Sequence, residues 1–117
     1  MQTIEIDLID PIPGLPAPDG SPTTIKRIVL RAPRLREYED IGDLDSYART
    51  PDGTVYMTEN EGVFGRYVET LLMEPPSVAI ARNASLADSI RLKNGLRDFF
   101  SKSRATAAGE VKKTSDA

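Results

Sequence analysis

The stretch Leu71–Phe100 reads LLMEPPSVAIARNASLADSIRLKNGLRDFF, and it decides how the chain is organised. A run with helical spacing enters it from the N-terminal side. Pro75 and Pro76 must end that helix, because proline lacks a backbone donor and clashes with the preceding turn. Ser77 then precedes a short helical turn. The stretch therefore predicts two helices separated by a proline break.

The second of these helices has its own start signal. Ser85 followed by Asp88 three residues later is a capping-box pattern, which is typical of a first helical turn. We expect the helix to end near Lys102. Its apolar positions are Leu86, Ile90, Leu92, Leu96, Phe99 and Phe100.

The helix before the double proline is predicted by the same two signals. Thr58 and Glu61 form a capping-box pattern at its start. An apolar stripe follows at helical spacing. It consists of Val63, Phe64, Tyr67, Val68, Leu71 and Leu72.

The N-terminal third indicates strands. Residues 3–9 alternate between apolar and acidic side chains, and Thr24–Arg31 is rich in β-branched residues. The segment between them, residues 11–22, holds five prolines and is predicted to be a loop. The two strands are therefore expected to form an antiparallel ribbon, which must lean on the helices or on another chain, because a lone hairpin is marginal in water. Self-association is thus a second expectation.

A short helix is predicted after Pro33, ending near Gly42 or Leu44. Its apolar residues at near-helical spacing are Leu35, Tyr38, Ile41 and Leu44. Residues 49–57 contain a Pro-Asp-Gly turn signal, which is compatible with a loop and with a short hairpin.

The whole pattern predicts one α+β domain over residues 1–102, with a two-stranded antiparallel ribbon and three or four short helices. Residues 103–117 are predicted to be a disordered tail, because they have almost no large apolar side chains to bury.

Composition narrows the possible functions. The 117 residues include no His and no Cys, so the commonest general base and the thiolate metal ligands are missing. Residues 1–100 hold eleven basic and sixteen acidic groups, net −5, whereas the last seventeen residues are net +2. This balance disfavours nucleic-acid binding by the folded part. The N-terminus resembles neither a signal peptide nor a membrane span.

The order of elements resembles that of the small tail assembly chaperones of Mu-like and related long-tailed phages and prophages. The resemblance rests on residues 28–33, IVLRAP, at the strand exit, and on residues 67–100 with their double proline and final Phe-Phe. The chain departs from the family pattern in its Pro-rich loop and in the Pro-Asp-Gly turn. The resemblance implies a non-enzymatic protein that binds the tape measure protein, and tail tube subunits as a second client. It also implies action in the cytoplasm of the bacterial host and absence from the finished particle.

No catalytic, cofactor-binding or metal-binding residue is predicted. The candidate partner-binding residues are Val63, Phe64, Tyr67, Leu71, Phe99 and Phe100, for which core packing is the competing interpretation. One rival function is a minor structural component of the tail or baseplate. Another is a metal enzyme built on carboxylates, whose candidate ligands are Asp40, Asp43, Asp45, Glu59 and Glu61.

Overall fold

A computed structural model of the chain describes the backbone of residues 2–115 and the side chains of residues 2–109. The predicted α+β class is confirmed. In chain order the elements are β1 (Thr3–Pro13), β2 (Thr24–Arg31), α1 (Leu35–Ile41), β3 (Asp45–Arg49), β4 (Val55–Glu59), α2 (Val63–Leu71), β5 (Leu72–Glu74), α3 (Val78–Ala81) and α4 (Leu86–Ser115).

The main sheet has three antiparallel strands in the order β1-β2-β5. The predicted ribbon of β1 and β2 is confirmed, but β5 was not foreseen. The prediction that α2 continues to Pro75 is wrong, because the helix ends at Leu71 and the next three residues pair with β2. Leu72 pairs opposite Leu30, so its backbone groups find hydrogen-bond partners in β2 and its side chain packs against the core. These contacts stabilise a strand at Leu72 more than its apolar spacing stabilises a longer helix.

Strand β1 extends beyond its predicted end. The pairing register between β1 and β2 shifts between Asp7 and Ile12, and the pairing then resumes with Ile12 opposite Ile25. The prediction of a loop from residue 11 onward is therefore wrong for its first three residues. Proline is tolerated there because β1 is an edge strand, where a missing N–H need not break a ladder.

The middle of the chain forms a second, two-stranded sheet of β3 and β4, with Tyr47 opposite Met57. Of the two structures compatible with the Pro-Asp-Gly signal, the hairpin is therefore the one formed. The capping-box prediction for Thr58 is wrong, since Thr58 lies in β4 opposite Ser46. Helix α2 instead follows Gly62, whose φ of 78° lies in the left-handed region that glycine tolerates.

The core lies between one face of the main sheet and helices α2 and α4. Alternate residues of β1 face inward, as their sequence pattern predicts, whereas three consecutive residues of β2, Ile28–Leu30, are buried. In α4 the buried apolar positions recur every fourth residue, at Leu92, Leu96 and Phe100. The buried apolar cluster consists of Ile4, Ile6, Leu8, Ile12, Ile28, Leu30, Ile41, Leu44, Val63, Tyr67, Val68, Leu71, Leu92, Leu96 and Phe100.

Helix α4 continues well past its predicted end at Lys102. Residues 103–115, predicted to be disordered, are helical, and the last two residues lie outside the described part of the chain. The segment is rich in alanine, the best helix former, and contains no proline. All side chains from Ser101 to Gly109 are exposed, so the distal helix projects from the body. The radius of gyration, 17.6 Å, accordingly exceeds the value of about 13 Å typical of a compact chain of this length.

Candidate partner-binding groove

The orientation of helix α1 against the body of the protein determines which of its side chains are exposed. Its buried positions are Glu37 and Ile41, one helical turn apart. A carboxylate can be buried there because it is paired, accepting hydrogen bonds from Arg31 Nη1 at 2.6 Å and from the Arg34 backbone N–H at 3.0 Å. These bonds lower the pKa of Glu37 to about 2, so the carboxyl group is ionised at neutral pH.

Burial of Glu37 turns two apolar side chains of α1 outward. Leu35 is 70% exposed and Tyr38 is 43% exposed. Their helical spacing predicted the helix itself but not which of its side chains are exposed. Large exposed apolar side chains gathered on one surface often mark an interaction site.

These side chains line a groove between α1 and the distal part of α4, with a volume of about 360 Å³. Its apolar lining consists of Pro33, Leu35, Tyr38, Phe99, Phe100 and Ala107, and its polar lining consists of Arg34, Asp43, Ser103 and Arg104. We call it the α1–α4 groove.

The floor of the α1–α4 groove is fixed to the core. The ring of Phe100 packs edge-on against Tyr67, with centroids 5.4 Å apart, and lies 6.3 Å from the ring of Tyr38. Tyr67 is fully buried, and its hydroxyl donates to the Gly42 carbonyl oxygen at 2.5 Å. Burial raises the pKa of Tyr67 to about 12, so this donor keeps its proton. The floor of the groove is therefore part of the packed core and is preformed.

A second groove lies along α4 beside the start of β1, with a volume of about 560 Å³. Phe99, Ser103 and Ala107 line both grooves. The second groove also includes Gln2, Thr3, Lys102 and Thr106. The projecting helix is thus flanked by concave surfaces that meet at Phe99.

Of the six predicted partner-binding residues, the structure gathers only Phe99 and Phe100 at the α1–α4 groove. Val63, Tyr67 and Leu71 are buried in the core, as the competing interpretation proposed. Phe64 lies apart from them. It is half-buried beside a separate cavity of about 230 Å³, and the Lys93 ammonium lies 5.2 Å from its ring centroid.

Leu35 and Tyr38 were missed as surface residues. The sequence does contain a signal for the inward face of α1, since Glu37 and Ile41 lie four residues apart and Arg31 precedes them. This signal can be recognised only if Arg31 is known to reach the Glu37 carboxylate.

Helix α4 is positioned by Asp88, which is fully buried. Its carboxylate accepts hydrogen bonds from the backbone N–H groups of Ile9 and Asp10, each at 3.0 Å, where β1 has lost its regular pairing. Arg91 Nη1 also donates to it at 2.8 Å. The predicted start of α4 is confirmed, with the Asp88 backbone N–H donating to Ser85 Oγ at 3.2 Å.

Four of the five candidate metal ligands are each engaged by a different basic side chain. Asp45 pairs with Arg97, Glu59 with Lys93, Asp43 with Arg104 and Asp40 with Arg66. Within the described residues, no three acidic side chains gather in a way that could hold a metal ion.

The hairpin of β3 and β4 carries a further exposed apolar surface. All of β4 is exposed, and Tyr47, Val55 and Met57 share one face by their register. This surface lies outside the two grooves.

In the described part of the chain, no helix combines the length and the apolar character needed to cross a membrane.

Together these features define a small α+β protein with a preformed apolar groove beside a projecting helix. Comparison of the chain with protein-family models, with curated proteins and with solved structures finds no match.

Proposed function

We propose that this protein is a tail assembly chaperone of a long-tailed phage or prophage. It binds an apolar helical segment of the tape measure protein, and tail tube subunits as a second client, without making or breaking a covalent bond. It acts in the cytoplasm of the bacterial host and is absent from the finished particle.

The observation that carries the proposal is the α1–α4 groove with its outward-facing Leu35 and Tyr38. An apolar groove between helices suits the helix-in-groove mode, in which an amphipathic client helix buries its apolar face. The floor is held rigid by contact between Phe100 and Tyr67, so little ordering cost opposes binding. The resemblance of residues 28–33 and 67–100 to the tail assembly chaperones supports the same function.

Co-expression with the neighbouring reading frame for a very long helical protein tests the proposal. We expect that protein to stay soluble and to co-purify with the tagged chain, and to aggregate when expressed alone. Leu35→Asp should abolish co-purification, because it places a charge on the apolar lining. Tyr47→Asp is the matched control, since Tyr47 is 67% exposed but lies on the hairpin. Equal co-purification of both variants would contradict the proposal.

The rival function, a minor structural component of the tail or baseplate, is favoured by the exposed apolar face of the hairpin. Such a face suits a permanent contact with another subunit. Mass spectrometry of purified particles separates the two functions, because a component should be present and a chaperone absent.

A further inference from the structure

Basic side chains are concentrated where the two grooves flank α4. Three basic residues and one acidic residue line the grooves, namely Arg34, Lys102, Arg104 and Asp43. The rest of the protein has the opposite sign, since the whole chain is net −3 and these four residues contribute +2, which leaves −5 for the remainder. The grooves therefore carry a local positive charge on an otherwise acidic molecule.

The basic groups are available to a ligand to different degrees. Arg104 is paired with Asp43, and Lys102 lies 2.9 Å from Asp98, but both pairs lie at the surface, where ion pairs are weak. Arg34 is exposed, and only its backbone N–H bonds to Glu37. An incoming carboxylate can thus meet Arg34 directly and compete for the other two.

The positions of Arg34 and Arg104 suggest a spacing for the ligand's charges. Arg34 precedes α1, whereas Arg104 reaches Asp43, just past the other end of that helix. The seven residues of α1 span about 10 Å, which equals two turns of a ligand helix. Leu35 and Tyr38 lie in α1 between these two ends.

We infer that the α1–α4 groove takes an amphipathic helix whose apolar stripe is flanked by acidic residues about two turns apart. The inference rests on the proposed function and specifies the chemistry of the client segment. A second copy of this chain is a poor occupant. Its projecting helix also carries Lys102 and Arg104, so like charges would meet in the groove.

Fluorescence anisotropy with three labelled helical peptides, each about 18 residues long, tests the inference on the full chain. The first has a leucine stripe flanked by Glu, the second has the same stripe flanked by Lys, and the third keeps Glu but replaces the stripe with Gln. We expect the first peptide to bind at least about tenfold more tightly than either of the others. Its advantage over the Lys peptide should shrink as salt is raised, because exposed charges are screened.

Charge reversal then locates the site. Arg34→Glu combined with Arg104→Glu should remove the preference for the acidic peptide. Arg49→Glu, an equal change at an exposed position on the hairpin, should leave it intact. Thermal unfolding of each variant checks that the fold is retained, which we expect because the three side chains are exposed.

In the peptide assay, the inference would be overturned if no peptide bound, if the acidic peptide were not preferred, or if the Gln-stripe peptide bound equally well. Equal effects of the groove and hairpin variants would also overturn it. So would a dimer, detected by light scattering, that dissociates in the groove variant, because the occupant would then be a second copy. If the tape measure protein co-purifies while the peptides show no preference, the inference fails and the proposed function stands. If the acidic peptide binds but the tape measure protein does not co-purify, the proposed function fails instead.

Discussion

Asp88 links the first turn of α4 to the irregular part of β1 through hydrogen bonds to Ile9 and Asp10. These bonds, together with the smaller contributions of Arg91 and Ser85, lower the pKa of Asp88 to about 2 despite its burial. Folding lowers the pKa of this carboxyl group, so its ionised form stabilises the folded protein at any pH above 3.8, its pKa in the unfolded chain. That stabilisation is lost as the pH falls from 3.8 through the pKa of the folded protein. The position of α4 therefore depends on an ionised buried carboxylate.

We predict that Asp88→Asn lowers the thermal unfolding midpoint at pH 7, because the amide has one acceptor oxygen in place of two. The difference from the unaltered protein should narrow as pH falls from about 4 to 2, since the native carboxylate then loses its own contribution. Asp98→Asn, at an exposed position on the same helix, is the control and should have little effect. A difference in midpoint that stays constant down to pH 2 would contradict this assignment.

Two helical glycines should respond oppositely to enlargement. A Cβ at Gly65 in α2 would meet no atom within 4 Å, whereas a Cβ at Gly95 in α4 would lie 3.3 Å from Ile4 Cγ2. We predict that Gly65→Ala stabilises the protein by about 0.5–1 kcal/mol, through helix propensity alone. Gly95→Val should instead cost about 1–3 kcal/mol, because its branches press into β1. Urea unfolding measures both, and destabilisation by Gly65→Ala would show that its surroundings are tighter than described.

At the level of elements, α1 shows how one ion pair can turn part of an apolar stripe toward the solvent while Ile41 stays buried. Glu37 occupies the inward position because Arg31 and the Arg34 N–H satisfy its carboxylate. Leu35 and Tyr38 are consequently exposed. Apolar residues at helical spacing usually face the core, and Leu35 and Tyr38 do not. Such exceptions are expected where function competes with packing.

The hairpin of β3 and β4 depends on an anchor at its base. Arg97 in α4 holds Asp45 with two hydrogen bonds, from Nε at 2.8 Å and from Nη2 at 3.2 Å. Asp45 is buried, so loss of its partner would leave a buried charge unpaired. An isolated two-stranded hairpin is only marginally stable, which makes this contact important for the order of the whole element.

We predict that Arg97→Ala costs about 1–3 kcal/mol in unfolding free energy and speeds hydrogen exchange in β3 and β4 more than in β1. Arg97→Lys should recover only part of the loss, because an ammonium cannot reproduce the two-pronged contact. Lys93→Ala is the control on the same face of α4, since its pair with Glu59 is more exposed. Uniform exchange across both sheets would argue against a local anchor.

For the whole molecule, stability and binding are expected to reside in different parts of α4. The helix contributes to the core as far as Phe100, and from Ser101 to Gly109 its side chains are exposed. The distal part forms one wall of the α1–α4 groove. Removal of that wall should therefore affect binding more than folding.

We predict that truncation after Lys102 changes the unfolding free energy by less than about 1 kcal/mol, the usual contribution of an exposed ion pair such as Arg104 with Asp43. The same truncation should abolish co-purification of the tape measure protein. Urea unfolding and the co-expression assay measure the two effects on one variant. Retained co-purification would place the client elsewhere on the molecule.

Local chemistry along the chain was sufficient to predict much of this architecture. Alternating apolar residues in β1, the start of α4 at Ser85 and the inward positions Leu92 and Leu96 all depend on neighbours within a few residues. Such patterns act before long-range contacts form, so they can be recognised in the sequence alone. The roles of Phe99 and Phe100 at an interaction surface were likewise suggested by the sequence, although they remain a prediction.

Other features were decided only by tertiary structure, because each depends on partners far along the chain. Strand β5 exists because β2 offers it an edge, and Leu35 is exposed because Arg31 satisfies Glu37. Asp88 is buried because β1, almost eighty residues earlier, presents two unpaired N–H groups to it. Polar groups buried in this way must find partners wherever the fold supplies them, and no local pattern specifies where those partners lie.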